Sequence, residues 1–369
     1  MQITCPRKDL LEAAQFVGQG VSARSTLPIL SNVWLAAEDD GIALMSSDLE
    51  MWVRRSLPSV PGEMGATTVP ARMFTEILSA LPDGDAQITI GERNEIEVRS
   101  GSARYTLMGL SADEFPPMPE FAPDATMSIS LGLLKDMFDQ VSIAVSKDEA
   151  RPALTGVLFQ CEGGQIRMVA TDTHRLAMRT APAPSGASGL SISSIIPQRA
   201  FDTLIHSGAG PDAEVQIAIE GNRIGMEVGR DRLVATLIPG GFPAYERVVP
   251  QECNRKWTVP TEEFSAAIKR ADIVAKQASH RVTFESEGQV LTLSARAEGF
   301  GTATERLEIA ADGGDVRVAF NARYMLDALG VLGSEGVCVE MTEPVRPAVL
   351  KPAVDQPSFL YVIMPMSVG

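Results

Sequence analysis

The stretch Pro70-Ala71-Arg72-Met73-Phe74-Thr75-Glu76-Ile77-Leu78 decides the fold, because the chain repeats its pattern twice more. The second copy reads Pro197-Gln198-Arg199-Ala200-Phe201-Asp202-Thr203-Leu204-Ile205, and the third reads Asn321-Ala322-Arg323-Tyr324-Met325-Leu326-Asp327-Ala328-Leu329. Each copy follows a β-rich run and opens a helical pattern with Pro or Asn, residues that suit a helix start. The copies begin 127 and 124 residues apart. This spacing predicts three copies of one compact domain of about 120 residues.

Each domain is predicted to be α+β, because short strands and two helical patterns follow one another in the order βαβββ, written twice. One of the strands is predicted over residues 26–35, with a proline at its edge. We expect two small sheets in each domain. Proline-rich joints at 113–119 and 248–255 cannot continue a helix or a strand. They set the predicted domains at 1–122 (N-terminal), 123–252 (central) and 253–369 (C-terminal).

The composition is that of an ordinary globular protein, with 45% hydrophobic and 21% charged residues. No apolar run approaches the ~18 residues that span a bilayer, and residues 1–5 do not read as a signal peptide. The cysteines are scattered without a Cys-x-x-Cys pair, which argues against a disulfide framework and a zinc site. They are Cys5, Cys161, Cys253 and Cys338. We therefore expect a cytoplasmic protein that holds no metal.

The net charge of −15 alone argues against a nucleic-acid-binding protein. The distribution of charge alters that conclusion. Helices are predicted over 7–24, 70–81, 131–147, 197–206, 261–278 and 321–332. Together these helices sum to +1, and the rest of the chain carries −16. If the helices share one surface, that surface is predicted to be far less acidic than the remainder.

Six motifs, in order and at matching spacing, make the chain resemble the bacterial DNA polymerase III beta subunit family, the sliding clamps, over essentially its whole length. They are Thr26-Leu27-Pro28-Ile29-Leu30-Ser31-Asn32, Ser47-Asp48-Leu49-Glu50-Met51, Ala66-Thr67-Thr68-Val69-Pro70-Ala71-Arg72, Ala170-Thr171-Asp172-Thr173-His174-Arg175-Leu176-Ala177, Phe242-Pro243-x-Tyr245-x-Arg247-Val248 and Tyr361-Val362-Ile363-Met364-Pro365-Met366.

The resemblance implies three tandem clamp domains that close as a head-to-tail homodimeric ring, with helices inside and sheets outside. In that family the ring encircles double-stranded DNA without reading its sequence and acts as a processivity factor in DNA replication. Partners, among them the replicative polymerase subunit, the clamp loader and repair proteins, dock short Gln/Leu/Phe-type peptides in a pocket between domains 2 and 3. The family clamp is not an enzyme and carries no cofactor. It is not attached to a membrane.

The resemblance also assigns residues. The peptide pocket falls on Leu154, Thr171, Thr173, His174, Arg175, Leu176, Pro243, Arg247, Val248, Asn321, Tyr324, Val345, Val362, Met364, Pro365 and Met366. Apolar side chains with adaptable methionines suit a groove that receives many related peptides. The alternative for Leu176 and Val362 is that they are plain core residues.

Two further sets follow from the same resemblance. The candidates for DNA contact are Arg24, Arg72, Lys147, Arg151, Arg199, Arg270 and Lys276, each of which could instead be a solvated surface cation. The candidates for the dimer interface are Tyr105 and Leu107 in domain 1 against Ile273 and Val274 in domain 3. An exposed apolar edge strand is otherwise an aggregation hazard, so pairing across subunits explains it.

Several positions depart from the family pattern. Thr173 stands where a glycine is frequent before the histidine, and Ser279 stands where an aromatic residue is frequent. Pro344 and Pro347 flank Val345, and the chain lacks the usual basic-apolar end. These departures bear on peptide preference and leave open a specialised second copy of the clamp.

Two other classes of function compete with a clamp. Asp172-x-His174-Arg175 could belong to a hydrolase or an NTPase, but the chain has only three histidines and lacks a Gly-x-Ser-x-Gly or phosphate-binding glycine motif. A peptide-binding scaffold that is not loaded on DNA is the second alternative. Loading on circular DNA separates that scaffold from a clamp.

Overall fold

The computed structural model describes residues 2–22, 27–39, 41–58, 60–121, 126–184, 187 and 191–368. The predicted DNA-contact residue Arg24 and the first residue of the predicted 26–35 strand lie outside these residues. So do residues 23 and 24 of the first predicted helix.

The described residues contain an α-helix at each of the six predicted places. They are α1 (Arg7–Gly18), α2 (Ala71–Ala80), α3 (Leu131–Ser142), α4 (Gln198–Ile205), α5 (Thr261–Ala275) and α6 (Ala322–Val331). A 3-10 turn, Lys276–Ala278, extends α5 to its predicted end.

Two predicted helix ends were wrong, because turns with i→i−3 bonds close these helices early. After α1, the Gln19 N–H bonds to the Phe16 carbonyl at 3.2 Å. After α3, the Val145 N–H bonds to the Ser142 carbonyl at 3.1 Å, so Lys147 lies beyond the helix. Such tighter bonds commonly satisfy the last carbonyls of a helix.

The strands follow the helices in the predicted order. Domain 1 contains β1 (Gln2–Pro6), β2 (Asn32–Glu38), β3 (Gly41–Ser47), β4 (Met51–Pro58), β5 (Val60–Glu63), β6 (Gly65–Pro70), β7 (Asp85–Ile90), β8 (Glu95–Ser100) and β9 (Ala103–Met108). Domain 2 contains β10 (Met127–Ser130), β11 (Gly156–Glu162), β12 (Gln165–Thr171), β13 (Arg175–Pro182), β14 (Ile192–Pro197), β15 (Glu214–Glu220), β16 (Arg223–Val228) and β17 (Asp231–Thr236). Domain 3 contains β18 (Arg255–Pro260), β19 (Arg281–Glu287), β20 (Val290–Ala297), β21 (Gly301–Glu308), β22 (Ala310–Asp312), β23 (Arg317–Asn321), β24 (Gly336–Met341), β25 (Ala348–Pro352) and β26 (Phe359–Ile363).

The order βαβββ, written twice, is therefore confirmed in all three domains, with β5 and β22 as short additions. The strand predicted over 26–35 was wrong in its first half. Pro28–Ser31 forms a 3-10 turn, and the strand begins at Asn32. Proline fixes a φ suited to the first turn of a helix, which explains the turn.

The chain divides into two compact units. The first unit comprises Met1–Leu134, Pro184–Ser188 and Arg199–Leu237, and the second comprises Lys135–Ala183, Gly189–Gln198 and Ile238–Gly369. Each unit thus holds one end domain with part of the central domain. The first contains a five-stranded sheet, β5-β1-β7-β8-β9, and an eight-stranded sheet, β10-β15-β16-β17-β4-β3-β2-β6. The second contains a nine-stranded sheet, β14-β11-β12-β13-β26-β25-β24-β18-β22, and a four-stranded sheet, β21-β20-β19-β23.

The expectation of two small sheets per domain was wrong, because strands pair across the domain joints. In the first unit β17 pairs antiparallel with β4, placing Val234 opposite Trp52. In the second unit β13 pairs antiparallel with β26, placing Leu176 opposite Val362. Each joint satisfies the hydrogen-bonding groups of two edges that would otherwise stay open.

Each joint has its own apolar core. In the first unit, Ile29, Leu30, Met45, Trp52 and Phe115 pack together. In the second unit, a core beside the β13–β26 pairing contains Leu158, Val169, Leu176, Ile195, Tyr245, Val349 and Val362. This second core forms the base of the candidate site.

Candidate functional site

The turn between β12 and β13 is held rigid by its own side chains. Asp172 Oδ1 accepts the N–H groups of His174 and Arg175, both at 3.0 Å. Thr171 Oγ1 donates to the Arg175 carbonyl at 2.7 Å and accepts the Thr173 N–H at 3.2 Å. These bonds form a turn of the Asx type. They fix the backbone from which the exposed side chains of Thr173 and His174 project.

Arg175 ties this turn to α6. Its Nε lies 3.0 Å from Asp172 Oδ2, and its Nη1 lies 2.5 Å from Asp327 Oδ2. The guanidinium also stacks on the Tyr324 ring, with its carbon 4.2 Å from the ring centroid. Burial alone would lower the pKa of this guanidinium, but Tyr361 and the two carboxylates raise the pKa above its ordinary value. Arg175 is therefore a fixed, charged part of the site wall.

An apolar cavity of about 210 Å³ lies beside the turn. Leu176 and Val362 line it while being almost fully buried, so they belong both to the core and to the cavity wall. Met364, which follows β26, is 40% exposed and forms part of the rim. The lining residues are Thr171, Thr173, Arg175, Leu176, Pro243, Ala244, Tyr245, Val248, Val362 and Met364.

A larger and more polar cavity of about 770 Å³ lies on the other side of the same turn. It is lined by Ser142, Ile143, Val145, Ser146, Lys147, Asp148, Arg151, Leu154, Asp172, Thr173, His174, Arg175, Gln198, His280, Asn321, Arg323, Tyr324 and Asp327. Arg175 is paired with two carboxylates, and Arg151 lies 3.9 Å from Asp148. Among the described residues, no ion pair involves Lys147 or Arg323. The cavity therefore offers two unpaired cations to a ligand.

Twelve of the sixteen predicted peptide-binding residues line these two cavities. Leu154, His174, Asn321 and Tyr324 line only the polar cavity, and the other eight line the apolar one. Four predicted residues line neither cavity. They are Arg247, Val345, Pro365 and Met366. Val345 is 76% exposed on the turn between β24 and β25. Peptide binding by the set stays a prediction.

The segment after β26 is anchored on both sides. The Met364 N–H donates to the His174 carbonyl at 2.9 Å, and the Met366 N–H donates to the Ala319 carbonyl at 2.7 Å. These bonds set the position of Met364 at the rim. The backbone of Met366 thereby bridges to β23, and its contribution to the pocket stays a prediction.

Sequence reasoning missed several lining residues. Tyr245 fills the base of the apolar cavity, where its hydroxyl donates to Gln160 Oε1 at 2.9 Å and accepts from Arg167 at 2.9 Å. Burial raises the pKa of Tyr245, so it stays a neutral donor. The Phe-Pro-x-Tyr motif was the available signal. Asp172 and Asp327 were also missed, because their role is to hold Arg175.

The first unit carries the same turn at the equivalent place in the repeat. Ser47 Oγ accepts the Leu49 N–H at 2.9 Å, and Asp48 Oδ1 accepts the Met51 N–H at 2.8 Å. Asp48 also forms an ion pair with Arg199 of α4, whose Nη2 donates to the Gln19 carbonyl at 2.5 Å. The turn is thus a repeated structural element of the fold, and in the second unit two cavities lie beside it.

The predicted DNA-contact residues are mostly engaged by carboxylates. Arg72 on α2 donates to Glu76 at 2.9 Å, and Arg270 on α5 donates to Glu305 at 2.6 Å. The hydrogen bond from Arg270 lowers the pKa of Glu305 below its ordinary value. Lys276 is exposed just after α5. Of the others, Arg199 pairs with Asp48, and Lys147 and Arg151 line the polar cavity.

The predicted charge contrast was overstated, because it depended on helix ends. With the observed bounds, α3 and α5 each carry one net negative charge and the other four helices are neutral. The helices thus sum to −2. Lys276 directly follows α5, where the helix dipole favours a cation, whereas Lys147 lies five residues beyond the end of α3.

The predicted dimer residues lie on the edge strand β9 and on the helix α5. Tyr105 is exposed on β9, the outer strand of the five-stranded sheet, and Ile273 is 64% exposed on α5, which packs on β20 and β21. Val274 is half-buried. Leu107 is buried opposite Ile96, so it supplies little surface to a partner. Leu107 as a dimer contact stays a prediction.

The catalytic alternative finds no support in the geometry of the turn. The Asp172 carboxylate is occupied by Arg175 and by two backbone N–H groups, so it is unavailable as a general base. Within the described ranges, no group of three or more His, Cys, Asp or Glu side chains is placed to hold a metal ion. In the same part of the chain, no helix is long and apolar enough to cross a membrane.

Family models of the DNA polymerase III beta subunit match three consecutive parts of the chain. The N-terminal domain model matches residues 1–119, the central domain model 128–244 and the C-terminal domain model 246–367.

Individual relatives agree with the models. The "Beta sliding clamp" of Staphylococcus epidermidis is 29% identical over 376 residues, which cover 99% of each chain. The crystal structure of the DNA polymerase III subunit beta from Pseudomonas aeruginosa is 31% identical, with a TM-score of 0.94 and 100% coverage of both chains. The sliding clamp from Bacillus subtilis is 28% identical, with a TM-score of 0.96 and the same coverage.

Proposed function

The chain belongs to the DNA polymerase III beta subunit family, and from that premise we propose that it is a DNA sliding clamp. In this role it encircles duplex DNA, tethers the replicative polymerase and confers processivity without catalysing a reaction. It is built from three tandem clamp domains. We propose their boundaries at 1–122, 123–252 and 253–369, the first just after the proline-rich joint at 113–119 and the second within the joint at 248–255.

We propose that two chains close head to tail into a ring. The edge strand β9 of one chain would meet the edge of the four-stranded sheet, at β21 and α5, of the other. Tyr105 and Met108 on β9, and Ile273 on α5, are exposed apolar side chains that this contact would cover. Closure also removes two open sheet edges, which is a recurrent reason for strand pairing between subunits.

We propose that each contact between the clamp and DNA is weak and readily exchanged. Arg72 and Arg270 are exposed and paired with nearby carboxylates, and such surface pairs contribute little to stability. A phosphate group can therefore displace the carboxylate, and the carboxylate can return as the phosphate moves on. Contacts of this kind carry no sequence information, because they reach phosphates and not base edges. This exchange is what a sliding protein needs.

The partner groove is the observation that carries the proposal. Within the second unit, the apolar cavity at Leu176, Val362 and Met364 adjoins a polar cavity with unpaired Lys147 and Arg323. An extended peptide with apolar side chains at one end and polar groups at the other fits this pair of cavities. Partners that carry such a peptide would then share one site on the clamp.

The test is a titration of a fluorescent peptide carrying the Gln-x-x-Leu-Phe pattern, followed by anisotropy. We expect saturable binding that is lost when the chain is truncated before Met364. A folded dimer that does not bind the peptide would contradict the groove assignment. Loading on circular DNA then distinguishes a clamp from a peptide-binding scaffold.

A further inference from the structure

We propose that Thr173 is a specificity-determining residue of the groove. Its side chain divides the apolar cavity from the polar one and restricts the size of the peptide residue that crosses between them. This inference rests on the proposed peptide-binding function and adds to it a rule about which peptides are accepted.

The division follows from the lining of the two cavities. Only Thr173 and Arg175 line both cavities in the described part of the chain. Arg175 is fixed by Asp172, by Asp327 and by stacking on Tyr324, so it cannot move aside. Thr173 is exposed and makes no side-chain hydrogen bond among the described residues. A chain that occupies both cavities therefore has to pass the Thr173 side chain.

The backbone at Thr173 is strained. Its φ is +78°, in the left-handed region that favours glycine and is costly for a β-branched residue. The turn imposes this conformation through the bonds of Thr171 and Asp172 to the N–H groups of residues 173 to 175. Strained residues persist where their surroundings over-determine them, and they often do so at binding sites. Here the strain places a branched side chain at the divide between two cavities.

The repeat supplies a matched control. Leu49 occupies the equivalent place in the first unit, with a φ of +76° and the same hydrogen-bonded turn around it. It lines neither of the two cavities. A substitution at Leu49 therefore tests the relief of strain without a change in either cavity, whereas one at Thr173 tests strain and cavity shape together.

The experiment uses the full-length protein and three variants: Thr173→Gly, Thr173→Asn and Leu49→Gly. Glycine relieves the strain and removes the divider, while asparagine tolerates the left-handed region but keeps a side chain there. Two sets of fluorescent Gln-x-x-Leu-Phe peptides carry glycine or tryptophan at either spacer position. Affinity for each peptide is measured by anisotropy, and stability by denaturant unfolding.

We expect the unsubstituted protein to bind the glycine peptide at least about tenfold more tightly than the tryptophan peptide at one spacer position, a difference typical of a pocket that excludes bulk. Thr173→Gly should reduce that ratio to below about threefold, and Thr173→Asn should retain it. Thr173→Gly should raise the ratio of folded to unfolded protein by roughly fivefold to thirtyfold, from relief of the left-handed strain. Leu49→Gly should raise it less, because Leu49 is 46% exposed and its replacement also loses the burial of the remaining side chain. Leu49→Gly should leave the peptide ratio unchanged.

Equal discrimination by the unsubstituted protein and Thr173→Gly, when both bind the glycine peptide, would overturn the inference. So would a loss of discrimination in Leu49→Gly, because a general change in stability would then explain the effect. Failure of every protein to bind the glycine peptide would overturn the groove itself. That outcome is recognised by the absence of saturation, before any ratio is compared.

Discussion

Replacement of Met364 by alanine tests the groove at its rim. Met364 is 40% exposed, so a docked peptide can cover about two fifths of its surface. Full burial of a methionine side chain is worth about 1.5–3 kcal/mol, so two fifths of it correspond to about 0.6–1.2 kcal/mol. Because 1.4 kcal/mol is a factor of ten, the peptide should bind about threefold to eightfold more weakly to Met364→Ala.

The same substitution also has a defined effect on stability. Loss of the buried three fifths of the Met364 side chain should lower the free energy of unfolding by about 1–2 kcal/mol. The backbone bond from the Met364 N–H to the His174 carbonyl does not depend on the side chain and should persist. The variant should therefore stay folded and bind with a changed affinity.

The assay is anisotropy titration with the Gln-x-x-Leu-Phe peptide, with Met64→Ala as the control. Met64 is a methionine between β5 and β6 that is 56% exposed and lines neither cavity. Its replacement should leave peptide affinity unchanged. An unchanged affinity in Met364→Ala, or an equal loss in both variants, would refute the assignment of Met364 to the rim.

Three further predictions concern other parts of the chain. His174→Ala, or removal of residues 364–369, should abolish peptide binding and leave a dimer in sedimentation. Monomers from either variant would show that these residues also support dimerisation, which would contradict the separation of peptide binding from dimerisation. Ile273→Asp should give monomers that still bind the peptide, because a charge would enter the proposed dimer interface. A dimer of unchanged strength would show that Ile273 does not lie in that interface. Burial, with Asp9 and Asp85 nearby, raises the pKa of Cys5 from 9.0 to about 12. The unfolded thiol therefore ionises first, and above about pH 9 the free energy of unfolding should fall by up to about 1.4 kcal/mol per pH unit more than in Cys5→Ala. Parallel pH profiles of the two proteins would contradict this.

The sequence predicted the fold well where the pattern was local and repeated. The Arg72, Arg199 and Arg323 copies each mark a helix after a strand, and all three helices form where expected. The pairings of β17 with β4 and of β13 with β26 were not predictable in this way. They join residues more than a hundred positions apart, and no periodicity within one strand specifies its partner across a joint.

The candidate site shows the same limit. The twelve lining residues were located by resemblance, whereas Tyr245 and Asp327 were missed because their contribution depends on packing around Arg175 and the cavity base. Thr173 was visible in the sequence as a departure, but only the backbone shows that it stands at a positive φ between two cavities. Leu107 shares a strand face with Tyr105, yet only Leu107 is covered by its own sheet.

The most direct test of the clamp proposal compares retention on circular and linear DNA. The labelled protein is loaded with a clamp loader and ATP onto a nicked circular plasmid, which is then either left circular or made linear by one cut. Bound protein is separated from free protein by gel filtration at about 0.15 M salt, where weak phosphate contacts are largely screened. We expect the protein to stay on the circle and to leave the linear molecule, because only a ring is held by topology. Equal loss from both forms, or equal retention on both, would contradict encirclement of DNA.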